Sequence, residues 1–296
     1  MLSLHTNNAA LSAQNAIGRT QSSLSTSMTR LSTGYRINSA MDDAAGLQIA
    51  TRLKAQTSGM AVAMRNTQNS TSMLQTAEGA LDEVTNMLVR MKDLATQAAD
   101  ASSTAKDKEA MQSEYDALGK ELANVLKNTT FAGSKLLVGT EAEAGTLANE
   151  DGLTFQIGAS STETMTVKFA EKLSAVTDDM AEVTAMYAAE PDDDTVGDEI
   201  KTGTSAATTI GSLSTMLDNV GALRSDLGAA ANRLEHVYNN LSNISTNSQA
   251  ATGRIMDVDF AAESANMTSN QMLLQASTAM LKQSNSMSSM VMSLLQ

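Results

Sequence analysis

Ten apolar side chains in residues 213–244 step by three and four without a miss: Leu213, Met216, Val220, Leu223, Leu227, Ala230, Leu234, Val237, Leu241 and Ile244. A spacing of 3.5 residues held for more than four heptads keeps one narrow seam facing the same partner, the pattern of a helix laid along other helices. At 1.5 Å per residue such a helix is roughly 48 Å long. The chain must supply partners for it over that length.

Composition agrees with long packed helices. The 296 residues include one Pro, four Phe, four Tyr and no Trp, but 20 Met. A large compact core normally draws much of its buried area from aromatic rings, so their scarcity favours helices packed through Ala, Leu and Met. With no Cys there is no disulfide framework, thiolate metal site or cysteine nucleophile. The formal charge of −13 is unevenly spread. Residues 1–41 contain Arg19, Arg30 and Arg36 and no acid, and residues 260–296 contain only Glu263 and Lys282, so the acidic charge belongs to the middle. An acidic body without a Lys/Arg cluster cannot neutralise a run of phosphates, which argues against nucleic acid. No apolar run reaches the ~18 residues needed for a membrane span. The N-terminus lacks the basic and apolar regions of a cleaved secretory signal, so none is expected.

In chain order, residues 1–33 read as a weakly apolar helix with Leu4 and Leu11 seven apart and Ile17, Leu24, Met28 and Leu31 on a second seam. Gly34 breaks it, and Ser39 or Asp42 is expected to cap a second helix through Ile49, Leu53, Met60 and Met64. From Leu74 the seam is regular again through Ala77, Leu81, Val84, Leu88, Met91 and Ala95. Polar residues 100–104 mark a turn before a third run with Met111, Tyr115, Leu118, Leu122 and Val125. Short connections between long helices imply antiparallel neighbours. The core of this rod is expected to include Leu81, Leu88, Leu118, Leu223, Leu227, Leu234 and Leu241.

After Asn128 the period changes. Phe131 to Gly139 reads as turn structure; then Leu153, Phe155, Ile157 and Met165, Val167, Phe169 alternate with polar residues about a 158–163 loop, a hairpin with one apolar face. Residues 171–204 are rich in Glu, Asp and Ala and carry Pro191 followed by Asp192, Asp193 and Asp194. They read as an acidic surface excursion that includes a short helix, since the aspartates lack the spaced oxygen ligands of a calcium loop.

The last segment is a second heptad, Leu273, Ala276, Met280, Gln283, Met287, Met290 and Leu294, in which the only charge after Glu263 is Lys282. The ordinary explanation of such a stripe is a helix docked on its own domain. Two features favour contact with other chains: charge depletion extends over both ends, and the 213–244 seam already has partners in the 74–95 and 111–125 runs. Flexible methionines suit contacts made in more than one arrangement. The residues expected to pack between subunits are Leu11, Ile17, Leu24, Met28, Leu31, Leu273, Met280, Met287, Met290 and Leu294.

Catalytic chemistry is missing. His5 and His236 lack a partner at metal-ligand spacing, His236 sits beside Glu235 on the polar side of its helix, and no phosphate loop or dinucleotide glycine fingerprint is present. No nucleophile, base or metal set can be assembled, so neither an enzyme nor a cofactor is expected.

Three stretches are recognisable. Residues 31–46, LSTGYRINSAMDDAAG, closely resemble the N-terminal signature of bacterial flagellins; residues 223–235, LRSDLGAAANRLE, resemble the helix that returns through their rod; and residues 254–263, RIMDVDFAAE, with Gln275-Ala276 and Leu294-Leu295, resemble their C-terminal segment. The resemblance covers residues 1–175 and 205–296. It implies a mainly α fold: a long antiparallel helical rod with coiled-coil termini and a small β-hairpin segment at about 131–170. Residues 1–42 with 257–296 would form the terminal coiled-coil domain lining the inner tube, 43–175 with 205–256 the rod, and 176–204 a short acidic insertion where larger flagellins carry outer domains.

The implied function is a structural subunit that self-assembles, in many copies, into the extracellular flagellar filament used for motility. Export would run through the flagellar channel without a cleaved signal. Implied partners are a flagellin export chaperone on the C-terminal helix, the filament cap and the hook-junction protein. Arg90, Leu94 and Glu114 match the residues through which flagellins of some bacteria meet a host Toll-like receptor, whereas Val89 stands where Gln is often found. From spacing alone, Arg90 and Leu94 share a helix face and could simply pack against Glu114. A hook-filament junction protein of the same family is the nearest alternative; a coiled-coil signalling rod conflicts with the strand segment.

Overall fold

A computed structural model describes residues 7–138, 145–187 and 197–294, with side chains to residue 287. The elements in order are α1 (Asn8–Thr33), α2 (Ala44–Ala99), α3 (Ala105–Asn128), β1 (Thr130–Phe131), β2 (Ser134–Lys135), β3 (Leu153–Gln156), β4 (Thr164–Val167), α4 (Ala170–Val183), α5 (Gly203–Met256) and α6 (Phe260–Leu294). The fold is mainly α, with two small antiparallel strand pairs. It divides into two compact units, residues 58–244 and the terminal stretches up to Thr57 and from Ser245. That division lies inside α2 and α5, not at the helix breaks near 42 and 257.

Local chemistry accounts for the helix ends. Gly34 closes α1 in the left-handed region at φ 76°, where a side chain would be strained, and its N–H donates to the Arg30 carbonyl. Asp43, rather than Ser39 or Asp42, starts α2: its carboxylate accepts from Gly46 N–H at 2.8 Å. Thr104 and Asp107 form a reciprocal capping box at the start of α3. At α5, helix extends to Gly203 and Met256, well beyond the apolar seam that reveals its middle.

In the 58–244 unit, α2 and α5 run antiparallel. Arg224 on α5 donates to Glu78 on α2 at 2.8 Å and lies 2.8 Å from Asp82, while further along Leu241 clusters with Met60 and Ala63. The carboxylates of Glu78 and Asp82, one helical turn apart, share the one guanidinium. Leu81, Val84, Leu88 and Met91 of α2 are fully buried, as are Leu213, Met216, Val220 and Leu234 of α5; Leu223 and Leu227 are 1% exposed. Tyr115, Leu122 and Leu126 of α3 enter the same core, and Leu118 packs partly buried against it. At its far end the predicted seam thins: Leu241 is 7% exposed and Ile244 38%.

The predicted hairpin is present. β3 and β4 pair in register from Leu153 opposite Val167 to Gln156 opposite Thr164, placing Phe155 directly across from Met165. Both are buried in the core shared by α2, α3 and α5, so the apolar face of the hairpin is covered by helices. A tight turn with Ala132 at φ 52° and Gly133 at φ 90° joins the β1–β2 pair. Gly139 lies outside the described residues.

The expected surface excursion is corrected over most of its described length. Leu173, Val176, Met180 and Val183 step by three, four and three along α4 and are each 0–1% exposed, as is Ile200. The acids between them point outward and hid an amphipathic helix. Residues 183–187 and 197–200 are also fastened to α3. Fully buried Gln112 donates to Asp116 at 2.7 Å and Glu199 at 2.6 Å and accepts from Ile200 N–H at 2.8 Å. Asp116 accepts from Gly197 N–H, Glu199 from Ala185 N–H, and the Tyr115 hydroxyl donates to the Val183 carbonyl at 2.7 Å. Gly119 permits this approach, since a Cβ there would lie 2.5 Å from Thr184 Oγ1. Pro191 and Asp192 to Asp194 lie outside the described residues.

Two consequences are measurable. Leu227→Ala leaves a cavity in the α2–α5 seam and is expected to lower unfolding free energy by about 2–5 kcal/mol in a denaturant titration. Burial, with the charges of Glu199 and Asp116, holds the Tyr115 phenol protonated well above its ordinary range. The unfolded phenol ionises near pH 10, so stability is full below about pH 10 and falls as pH rises further. Tyr115→Phe should lose about 1 kcal/mol at neutral pH with the hydrogen bond, yet show a shallower alkaline loss.

Candidate assembly surface

The terminal helices pair with each other. Asn7 donates to the Ser284 hydroxyl at 3.1 Å, and Arg30 lies 3.7 Å from Glu263, so α1 and α6 are antiparallel. Their connecting segments are held at the base by backbone bonds: Val258 N–H to the Gly34 carbonyl at 3.0 Å, Arg36 N–H to Met256 at 2.6 Å, and the Arg36 guanidinium to the Ile255 carbonyl at 2.9 Å. Asp42 caps the intervening turn by accepting from the N–H groups of Ser39 and Asn38, bonds that lower its pKa.

The seam of this pair is a strict heptad. On α1, Ala10, Ile17, Leu24 and Leu31 occupy one position and Ala13, Thr20 and Ser27 the other; all are buried or half-buried. On α6 the covered positions are Glu263, Met267, Asn270, Leu274, Ser277, Leu281 and Ser284. Half of these side chains are small or polar. Such a seam buries little apolar area for the residues it orders, so the pair is weakly held by its own contacts.

The apolar stripe read from the sequence of α6 is therefore a different one. Leu273 and Met280 each sit one position before a seam residue, about 100° around the helix, Met287 lies one heptad further along the same stripe, and the three are 52%, 68% and 55% exposed. Leu11 and Met28 of α1 instead sit one position after the seam residues Ala10 and Ser27, at 57% and 56% exposed. Of the predicted packing residues, Ile17, Leu24 and Leu31 lie in the α1–α6 seam, while these five stand open to solvent. The side chains of Met290 and Leu294, and all of Leu4, lie outside the described residues. On α6 sequence periodicity found the open stripe; the seam there alternates Met267, Leu274 and Leu281 with Asn270, Ser277 and Ser284 and carries a weaker signal.

In the other unit, Arg90 of α2 donates to Glu114 of α3 at 2.9 Å through Nε, both side chains being about half exposed. Leu94 is not part of that surface. It is 3% exposed and belongs to the core, one turn along α2 from Arg90 on the inward side. The Arg224 pairing with Glu78 and Asp82 was missed from sequence, because nothing in the spacing of α5 says which acids of α2 it meets. Among the described residues there is no group of three or more metal-ligating side chains, and no helix is long and apolar enough to cross a membrane.

Paired terminal helices with open apolar stripes, and a second unit that has its own core, define a helical structural protein. Comparison with known proteins identifies which. The bacterial flagellin N-terminal helical region matches residues 4–142 and the bacterial flagellin C-terminal helical region matches residues 200–295. Flagellin of Bacillus subtilis (strain 168) is 37% identical over 302 residues, covering 98% of both chains. Flagellin A of Vibrio anguillarum is 34% identical over 386 residues and all of both chains, and the flagellin of Halalkalibacterium halodurans is 39% identical over 269 residues, 91% of this chain and 90% of that one. Among solved structures, Bacillus cereus flagellin aligns over 64% of this chain and 94% of its own with 31% identity and a TM-score of 0.48. A Vibrio parahaemolyticus protein assigned as flagellar hook-associated shares the fold over 73% of this chain and all of its own, at 18% identity and a TM-score of 0.55.

The chain belongs to the bacterial flagellin family, and it is a structural subunit of the flagellar filament.

The geometry around Arg90 separates packing from surface chemistry. Leu94→Ala is expected to cost about 2–5 kcal/mol in thermal or chemical unfolding, whereas Glu114→Ala, which breaks an exposed ion pair, should cost no more than about 1 kcal/mol.

Proposed function

We propose that the open stripes of the α1–α6 pair are the surfaces through which this flagellin polymerises, with Leu11 and Met28 on one stripe and Leu273, Met280 and Met287 on the other. The observation that carries the reading is their exposure, 52–68%, on helices almost devoid of charge. Full burial of each such side chain is worth roughly 1.5–3 kcal/mol, and a growing filament repeats that gain at every subunit. The stripes also sit on opposite flanks. In antiparallel helix pairs, equivalent flanking positions lie on the same side of the seam, and the α1 stripe follows its seam residues whereas the α6 stripe precedes them. Unlike surfaces on opposite sides support head-to-tail contact, which builds an open filament instead of a closed dimer.

The weak seam has a function in this reading. A pair that gains most of its burial from neighbouring copies orders fully only during incorporation, which suits a subunit threaded through a narrow export channel. The flagellin export chaperone on the C-terminal helix, the filament cap and the hook-junction protein are proposed as partners on the family resemblance. Recognition by a host Toll-like receptor would have to use the exposed Arg90 and Glu114, with Leu94 acting from beneath as support. Residues 1–42 and 257–296 are proposed as the inner-tube segments.

Seeded polymerisation tests this directly. Replacing Leu273, Met280 and Met287 together with Ser should abolish filament growth in electron micrographs while leaving the unfolding midpoint of the 58–244 unit unchanged. Filaments of normal length from that variant would reject the reading. Amide exchange within 8–33 and 260–294 is expected to be fast in the free subunit and at least tenfold slower in the filament.

A further inference from the structure

Methionines in this chain are sorted by burial. Met60, Met91, Met111, Met165, Met180 and Met216 are 0–8% exposed, whereas Met28, Met272, Met280 and Met287 on the terminal pair are 55–68% exposed. The chain has no cysteine, so the thioether is its most easily oxidised side chain toward mild peroxide. Among the described residues, the most exposed thioethers other than Met41 are thus gathered on the two helices whose stripes lack cover.

We propose that Met28, Met272, Met280 and Met287 form a reversible oxidation switch on assembly; this rests on the reading of the stripes as polymerisation surfaces. Hydrogen peroxide or an organic peroxide transfers one oxygen atom to each sulfur. The O–O bond breaks, an S–O bond forms, sulfur loses two electrons to the peroxide, and water or an alcohol leaves. The product sulfoxide is polar and a strong hydrogen-bond acceptor. Burying it against uncharged, largely apolar neighbours leaves that acceptor without a partner, and the penalty recurs at each contact along the filament. Reduction by two thiols, which become a disulfide as the oxygen leaves in water, restores the thioether.

The sorting gives the switch two further properties. Core methionines have no access to oxidant in the folded unit, so modification stops assembly without unfolding 58–244. Sulfurs covered in the filament are equally shielded, which confines sensitivity to subunits not yet incorporated. Met41, 95% exposed in the turn before α2 and off both stripes, reports oxidant exposure independently.

The test treats purified full-length subunits with hydrogen peroxide, maps sulfoxides by mass spectrometry and measures growth on sonicated fragments of the same protein's filaments. Expected are oxidation of Met28, Met272, Met280, Met287 and Met41 at least tenfold faster than Met91 and Met216, unchanged circular dichroism, and at least a tenfold drop in growth. Treatment with methionine sulfoxide reductases should restore growth. A variant carrying M28L, M272L, M280L and M287L should grow after peroxide although its Met41 is oxidised. Normal growth by wild-type subunits with all four sulfoxides present would overturn the switch, as would equal peroxide sensitivity in the Leu variant. If the untreated Leu variant fails to grow, loss and reductase rescue in the wild type decide alone. Untreated wild-type subunits that fail to extend seeds reject the polymerisation reading itself, a separate result.

Discussion

Packing of α5 along α2 is the contact on which the rest of the subunit depends. An uninterrupted apolar seam from Leu213 to Leu241 is covered by Leu74 to Met91 and, at its far end, by Met60 and Ala63. Once those two helices are antiparallel, α3 has a groove to fill with Tyr115, Leu122 and Leu126, and the hairpin and α4 have a helical floor to cover. The half-buried Arg224, shared by Glu78 and Asp82, adds register to a contact that apolar packing alone would leave free to slide by a heptad.

The terminal pair follows the opposite logic. Its seam alternates Ile, Leu or Met with Ala, Thr, Ser and Asn, and further Leu and Met side chains stand outside that seam. A protein intended to remain a monomer would place those side chains inward, because exposed apolar stripes invite association. Here they stand outward on helices with few charges, and in the proposed reading copies of the subunit cover them. The oxidation switch is a chemical corollary: what is adaptable and apolar in methionine is also what a peroxide can reach.

Much of the fold was legible because it follows from periodicity. The 213–244 seam, the 74–95 and 111–125 runs, the 100–104 turn and the alternation at 153–169 each report a local rule of helix or strand burial. One reading needed correction: acidic residues between Leu173, Val176, Met180 and Val183 masked the buried face of the short helix expected in the excursion. On α6 the stripe of Leu273, Met280 and Met287 was legible, whereas the seam through Met267, Leu274 and Leu281 was not read. Leu94 was placed beside Arg90 by four-residue spacing, but that spacing does not say which side chain leans inward.

By itself, then, the sequence determined a mainly α chain, its long helices, its hairpin and its place among flagellins, because these depend on residue order along single elements. Tertiary structure decided which of two stripes on each terminal helix is used within the subunit, which acids Arg224 meets, and that residues 183–187 and 197–200 are bound to α3 through Tyr115, Gln112, Asp116 and Glu199. Those choices depend on distances between elements far apart in the chain. Only the packed fold sets such distances.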